Sequence, residues 1–202
     1  EDCDQAIFIL NASNAEIYQN TFVNSTVCIQ RDLRSAVADH FGWHPSTGPD
    51  VDKRDGHAFV NNLLVGDKEF GRPLLFVWQP AALCAQLPAS QLDQLDHNVY
   101  VRSAAEPGYP LMLWSPAHTE TCQAGFNSTE DLRKANPAFE ASSRSYAAHD
   151  GPLFKSAELG NFQVVSSFPG TKSAKQLPRE ISTLLGQPAK HSAYVGAYPP
   201  MP

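Results

Sequence analysis

The sequence predicts an all-β protein built from short stacked strands, and three observations support this fold class. One spacing, an apolar residue with an Asn three places later and an apolar pair just beyond, occurs in three segments: EIYQNTFVN (16–24), AFVNNLLVG (58–66) and QLDHNVYVR (94–102). A second apolar strand follows each segment: VCIQ (27–30), LLFVW (74–78) and LMLW (111–114). Helical periodicity is scarce across these runs, and polar corners separate them, which is typical of β-repeat architectures.

The shared asparagines predict a ladder within the stack. Alignment on Asn20, Asn62 and Asn98 brings three apolar sets into register, which we expect to share one core: Ile17, Phe59 and Leu95; Phe22, Leu64 and Tyr100; Val23, Val65 and Val101. Asn tolerates the left-handed backbone region, so each Asn is expected at a corner of the chain. Identical Asn side chains on successive layers can hydrogen bond to one another. A β-sandwich with alternating strands is the alternative fold.

The repeat spacing predicts a single domain over residues 1–202. Ile7 and Cys28 occupy equivalent places 21 residues apart, so the longer intervals between ladder positions imply loop insertions. The stacked region is expected over 5–125, with insertions near 31–56 and 80–93, and a closing segment over 126–202. Two stretches there carry the start and stop signals of short helices: STEDLRKANPAF (128–139) and LPREISTLLG (177–186).

Composition excludes several classes of partner and indicates an oxidising compartment. A net charge of −6 argues against nucleic-acid binding, and no apolar run reaches the roughly 20 residues of a membrane span. The four cysteines form no CxxC pair, which favours disulfides in a secreted, extracellular or periplasmic protein. Register favours a Cys84–Cys122 bridge and leaves Cys3–Cys28 by elimination, although four cysteines allow other pairings. Three sequons are candidate glycosylation sites, at Asn11, Asn24 and Asn127.

A family resemblance adds a specific architecture to this prediction. The strand–Asn–strand pattern of 5–115 is followed by three closing stretches: GPLF (151–154), GNFQVVSSFPG (160–170) and VGAYPP (195–200). Together they resemble the C-terminal coils of right-handed parallel β-helix proteins of the pectate-lyase-like superfamily. The resemblance implies a solenoid with short capping helices and acidic polysaccharides bound along its lateral groove. Because the chain begins with Glu and an apolar strand at 6–10, an upstream chain or fragment, or self-assembly through the N-terminal coil, is expected there.

The insertion RDLRSAVADHFGWHPSTGPDVDKRDGH (31–57) holds most of the candidate site residues. A lyase acting by β-elimination on a uronate polymer needs cations to pair the substrate carboxylate and a base to remove a proton. The candidate catalytic residues are His40, His44, Lys53 and Arg54. The candidate substrate-binding residues are Arg31, Arg34, Trp43 and Trp78, the two tryptophans offering an aromatic face to a sugar ring.

Other readings of this insertion stay open. It could be a solvated loop whose aspartates pair with its basic residues, or it could supply the paired carboxylates of a glycoside hydrolase: Asp39, Asp50 and Asp52. A non-catalytic carbohydrate-binding or adhesive module, or a structural subunit that stacks on another chain, is the second functional class. DVDKRDG (50–56) does not fit an EF-hand, because Arg54 and Asn61 stand at ligand positions. A calcium site that this stretch forms together with other loops is the one cofactor site that stays open. His57 adjoins a predicted strand and is expected to make a structural hydrogen bond to a neighbouring coil.

Overall fold

The fold is seen in a computed structural model that describes residues 1–32, 54–103, 108–187 and 193–199. The first strands are β1 (Gln5–Leu10), β2 (Glu16–Tyr18), β3 (Thr21–Val23), β4 (Thr26–Gln30), β5 (His57–Val60), β6 (Leu63–Gly66) and β7 (Leu75–Trp78). The later strands are β8 (Leu92–Asp96), β9 (Val99–Arg102), β10 (Met112–Trp114), β11 (Ala124–Phe126), β12 (Arg144–Tyr146), β13 (Phe154–Ser156) and β14 (Asn161–Val164). The α-helices are α1 (Ala81–Cys84), α2 (Thr129–Ala135) and α3 (Arg179–Leu184).

Strand pairing follows the register of the asparagine alignment. Strands pair in the order β1-β4-β7-β10-β11 in one sheet, β12-β9-β6-β3 in a second and β2-β5-β8 in a third. Ile17 pairs with Phe59 and Phe59 with Leu95 in the third sheet. Phe22, Leu64 and Tyr100 pair in the same way in the second. The local prediction of which residues lie side by side is therefore confirmed.

The predicted fold class, an all-β right-handed parallel β-helix of the pectate-lyase-like superfamily, is wrong. The described residues form separate sheets that mix parallel and antiparallel pairs, with short helices between them, and no closed or solenoid sheet is found among these residues. Antiparallel pairing enters where β10 meets β11 and where β13 meets β14. The physical reason is that a spacing pattern specifies neighbours on adjacent strands, whereas the direction in which the chain returns is set by its turns.

The predicted ladder residues lie in a series of hydrogen bonds, but the corner lies one residue earlier than expected. The Asn20 backbone N donates to Asn62 Oδ1 at 2.9 Å, and the Asn62 backbone N donates to Asn98 Oδ1 at 3.0 Å. The left-handed conformation belongs to the preceding residues, with φ of 60° at Gln19, 59° at Asn61 and 59° at His97. The left-handed residue turns the chain, and the Asn that follows it then aims its side chain along the stack.

The three aligned apolar sets do not share a single core, because they are divided between two apolar clusters. Ile17, Phe59 and Leu95 lie with Phe22, Leu64 and Tyr100 in the main core. The third aligned set does not join them, because Val65 and Val101 pack in a second cluster with Leu153, Val164 and Phe168, with Val23 packed against it. Successive residues of a strand face opposite sides of the sheet. Two adjacent apolar residues, such as Leu64 and Val65, therefore pack in two different clusters.

The closing segment carries both predicted helices and covers one sheet. α2 starts after Ser128, whose hydroxyl accepts from the Asp131 backbone N at 3.1 Å, and α3 follows Pro178. Leu177 and Ile181 pack on Tyr18, Ala58 and Val60, which lie on the outer face of β2 and β5. Leu177 and the start of α3 therefore cover part of β2 and β5. Within the described ranges, the helices lack the length and apolarity needed to cross a bilayer.

Candidate functional site

A pocket of about 470 Å³ lies between the end of β10, the turn that follows it, and α2. Its lining combines aromatic rings, prolines and a few uncharged polar groups. The lining residues are Cys84, Pro88, Ser90, Trp114, Pro116, Ala117, His118, Thr119, Ala124, Phe126, Ala135, Asn136 and Phe139. This volume falls within the range of roughly 300 to 1,000 Å³ that is usual for small-ligand sites.

Three aromatic residues form the apolar part of the pocket. Trp114 is 1% exposed, and its ring centroid lies 5.2 Å from that of Phe139 with a tilt of 54°. Phe126 is positioned by the antiparallel pairing of β11 with β10, in which Met112 lies opposite Phe126. Phe126 and Phe139 are both half-buried, and their rings border the pocket. Both rings pack against the core cluster to which Trp114 belongs.

A disulfide fixes one side of this pocket. Cys84 at the end of α1 is bonded to Cys122, with a Cα–Cα distance of 6.3 Å, which confirms the first predicted bridge. The second predicted bridge is wrong, because Cys3 and Cys28 are free thiols. Cys3 is exposed with its Sγ 3.3 Å from Ser25 Oγ, whereas Cys28 is buried in β4 opposite Phe8 and Phe76. Cys28 thus lies inside a sheet, whereas Cys3 lies beside Ser25, just before the strand that carries Cys28.

The opposite side of the pocket depends on the segment that leaves α2. The Asn136 backbone N donates to the Leu132 carbonyl at 2.7 Å, and the Phe139 N donates to the Asn136 carbonyl at 3.1 Å. The next residue, Glu140, donates its backbone N to the Leu95 carbonyl at 2.7 Å. One continuous segment therefore presents Asn136 and Phe139 to the pocket and fastens itself to β8.

A buried polar cluster lies directly behind this segment. Glu140 is 0% exposed; its carboxyl oxygens hydrogen bond to Tyr100 Oη at 2.5 Å, to Ser143 Oγ, and to Asn98 Nδ2 at 3.5 Å. Burial raises the pKa of Glu140 from 4.5 to about 7, while hydrogen bonds from Ser143, Tyr100 and Asn98 lower it and Asp96 raises it. The Asn98 backbone N donates to Ser143 Oγ at 2.8 Å, so Ser143 supplies the acceptor that the next ladder Asn would provide.

A second pocket, of about 450 Å³, is acidic. Its lining includes Asp2, Asp4, Asp67 and Glu69. Asn24 Nδ2 donates to Asp2 at 2.9 Å and to Asp67 at 2.7 Å, and Arg72 pairs with Asp4 at 3.0 Å. Its carboxylates outnumber its one cation, so this surface repels an anionic polymer. In the described part of the chain, no group of three or more His, Cys, Asp and Glu side chains has an arrangement that could hold a metal ion.

Most of the site residues chosen from the sequence lie outside the described residues. These are His40, His44, Lys53, Arg34 and Trp43, and their assigned roles stay predictions. Arg54 is half-buried just before β5, and Trp78 is half-buried at the end of β7, where its carbonyl accepts from Arg31 N and Gln91 Nε2. Neither residue lines the aromatic pocket.

Arg31 lies inside the protein. It is 2% exposed, and its guanidinium donates to Gln79 Oε1 at 2.6 Å and to the Ala89 carbonyl at 2.8 Å. Burial lowers the pKa of Arg31, and the nearby Asp55 opposes that change. In this position Arg31 holds the chain between β7 and β8 in place, and its role in pairing a substrate carboxylate stays a prediction.

His57 has the structural role that its position suggested. Its Nδ1 accepts a hydrogen bond from the Ala15 backbone N at 3.0 Å, which confirms the structural hydrogen bond, although the partner lies just before β2 and not on a β-helix coil. Burial lowers the pKa of His57, whereas Asp55 and Asp93 raise it. Since Nδ1 is an acceptor, the neutral ring carries its proton on Nε2, a buried atom for which the described residues supply no hydrogen-bond partner.

Sequence reasoning missed the aromatic pocket, because its residues come from distant segments that share no motif. The one usable signal was the pairing of Cys84 with Cys122, since it places the turn after β10 next to α1. Comparison of the chain with protein-family models, with curated proteins and with solved structures gave no match.

Proposed function

We propose that this protein is a non-catalytic carbohydrate-binding module of an extracytoplasmic protein, and that its ligand is a saccharide held in the aromatic pocket. The observation that carries the proposal is the lining itself, which contains both aromatic rings and hydrogen-bonding groups without Asp, Glu, Lys or Arg among the described lining residues. A sugar ring has an apolar C–H face and a rim of hydroxyl groups. Phe126 and Phe139 suit that face, and His118, Asn136 and Ser90 suit the hydroxyls.

The charge of the lining favours a neutral saccharide over a uronate. Among the described lining residues, His118 is the only side chain that can carry a positive charge, and none is Lys or Arg. Tight recognition of a carboxylate generally uses a charge-assisted pair with Arg or Lys. The acidic polysaccharide expected from the sequence would instead require the basic residues of 33–53. The disulfide supports an oxidising location for the module.

Titration with a panel of neutral and uronate oligosaccharides, followed by tryptophan fluorescence and calorimetry, tests this proposal. Phe126→Ala and Asn136→Ala are each expected to raise the Kd of the bound sugar about tenfold, because each removes a contact of about 1.4 kcal/mol. Two matched controls should bind as wild type: Asn127→Ala, since Asn127 is exposed next to Phe126, and Phe162→Ala, since Phe162 packs on Phe154 outside the pocket. The proposal fails if no oligosaccharide binds, or if both pocket variants bind like the wild type.

The same panel separates binding from β-elimination. A lyase would generate the absorbance of an unsaturated product with a uronate polymer, and loss of that signal in His40→Ala or His44→Ala would assign the chemistry to the 33–53 segment. The binding module predicts flat absorbance with every polymer. A glycoside hydrolase would instead release reducing ends without that absorbance.

A second candidate, assembly with another copy of this chain, is favoured by the position of the edge strands. β1, β2 and β3 each end their sheets, and within the described residues no further strand pairs with any of them. The outer side of β3 is partly covered, because the Asp2 backbone N donates to the Val23 carbonyl at 3.1 Å. Phe8 on β1 is 51% exposed. Open strand edges readily pair with other strands. If copies associate here, sedimentation equilibrium will show a dimer that Phe8→Lys abolishes. Leu159→Lys should preserve it, since Leu159 is 82% exposed in the connection between β13 and β14 and belongs to none of these three strands. A monomer at all concentrations rules this candidate out.

A further inference from the structure

Glu140 lies where the wall of the aromatic pocket meets the end of the asparagine ladder. Its backbone has φ of 55°, its side chain is 0% exposed, and it follows Phe139, which lines the pocket. The ladder ends on the same group of residues, since Asn98 donates to Ser143 Oγ and to the Glu140 carboxyl. A change in the charge of Glu140 therefore acts on both the wall and the ladder.

Among the described residues, no cation is positioned to balance an ionised Glu140 carboxyl group. From β9 it meets Tyr100 Oη at 2.5 Å, and from the end of β8 the Asp96 carboxylate accepts from Ser142 N at 2.6 Å and from Ser143 Oγ at 3.4 Å. Arg133 of α2 donates only to the backbone carbonyls of Glu140 and Ala141, at 3.4 and 3.2 Å. His97 lies beyond Asp96, with its Nε2 3.6 Å from Asp96 Oδ2. Burial, the nearby Asp96 carboxylate and the lack of a paired cation among the described residues favour the neutral carboxyl, and together they outweigh the three hydrogen-bond donors that favour the ionised form.

We propose that Glu140 is a protonation-dependent latch: the neutral carboxyl holds the segment 136–146 against β8 and β9, and ionisation releases that segment and weakens the pocket wall. The part of this inference that concerns ligand affinity rests on the proposed function, whereas the part that concerns the wall does not. When the latch opens, the carboxyl proton leaves to solvent and the carboxylate becomes hydrated. The segment includes β12, which pairs in parallel with β9 through Ser145 and Tyr100.

The sign of the pH dependence follows from linkage. The closed state holds its proton up to about pH 7, whereas an exposed Glu loses it near 4.5. The closed state thus binds more protons between these values, so its stability is greatest below pH 4.5 and falls as pH rises towards 7. The opening equilibrium constant is expected to increase about tenfold per pH unit in that window and to level off above it.

Hydrogen exchange of residues 136–146 at pH 5, 6, 7 and 8, corrected for intrinsic exchange rates, tests the latch without any ligand. The wild type should show the rising opening constant, and Glu140→Gln should show a flat one, because Gln stays neutral. Glu158→Gln is the matched control, since Glu158 is exposed, and it should keep the wild-type slope. A pH-dependent slope that persists in Glu140→Gln overturns the inference.

A second variant serves if Glu140→Gln does not fold. Tyr100→Phe removes a hydrogen bond that favours the ionised carboxyl, so the pH at which the opening constant levels off should rise; an unchanged profile counts against the latch. Saccharide affinity measured at the same pH values should fall with opening in the wild type only. If no saccharide binds but exchange behaves as stated, the proposed function fails and the latch stands. If saccharides bind and exchange does not change with pH, the latch fails alone.

Discussion

The two ends of the asparagine ladder are completed in different ways. At one end Asn20 is half-buried, and among the described residues no donor reaches its Oδ1. At the other end Asn98 is fully buried, and Ser143 and Glu140 complete its hydrogen bonds. The closed end also holds the disulfide and the aromatic pocket, whereas the open end presents three edge strands. The Asn98 end of the ladder is therefore buried inside the protein, whereas the Asn20 end lies at the surface. The candidate site lies beside the buried end.

The largest expected effect comes from the middle of the ladder. Asn62 is 0% exposed; its Oδ1 accepts from Asn20, and its Nδ2 donates to the Ile17 carbonyl at 2.9 Å. Asn62→Ala leaves several buried groups without partners and should lower the free energy of unfolding by about 3 to 5 kcal/mol, as measured by urea denaturation. Asn20→Ala at the open end should cost only about 1 kcal/mol. Equal losses for the two variants would contradict the difference between the ends.

A smaller effect is expected from the disulfide that braces the closed end. Cys84 and Cys122 are separated by 38 residues, so the double variant Cys84→Ala/Cys122→Ala should lose about 2 to 4 kcal/mol. Cys3→Ala at the open end is the control and should change stability by less than about 0.5 kcal/mol, because Cys3 is an exposed free thiol. Thermal unfolding with and without reductant measures both. A wild type that is insensitive to reductant would contradict a bracing role for this bond.

The sequence predicted register better than architecture. Spacing sufficed to pair Ile17 with Phe59 and Leu95, because each layer must bury its apolar residues beside those of the next. The spacing did not predict the fold class. β11 pairs antiparallel with β10, and this pairing depends on a turn that is not part of the repeated pattern. The spacing also predicted Val65 and Val101 in the main core. They pack in the second cluster instead, because the residues that bury the other face of their sheet, such as Phe168, come from a distant part of the chain.

The candidate site was less accessible to sequence reasoning. The charged and histidine-rich composition of the 31–57 insertion predicts a substrate-binding site there. In the structure, however, Arg31 is buried and its guanidinium donates to Gln79. The pocket is built from Trp114, Phe126 and Phe139, which look like ordinary core residues in isolation. Only the Cys84–Cys122 pairing pointed to their neighbourhood, and the burial of Glu140 has no local signature at all.

Chemical-shift mapping of a bound oligosaccharide on isotope-labelled protein tests the central claim most directly, that ligand binds at the closed end. The proposed site predicts saturable shifts at His118, Phe126 and Asn136, with none on the outer face of β2 and β5, where Leu177 and Ile181 lie. Saturable shifts confined to that outer face or to residues 33–53, with the pocket resonances unchanged, would contradict the account.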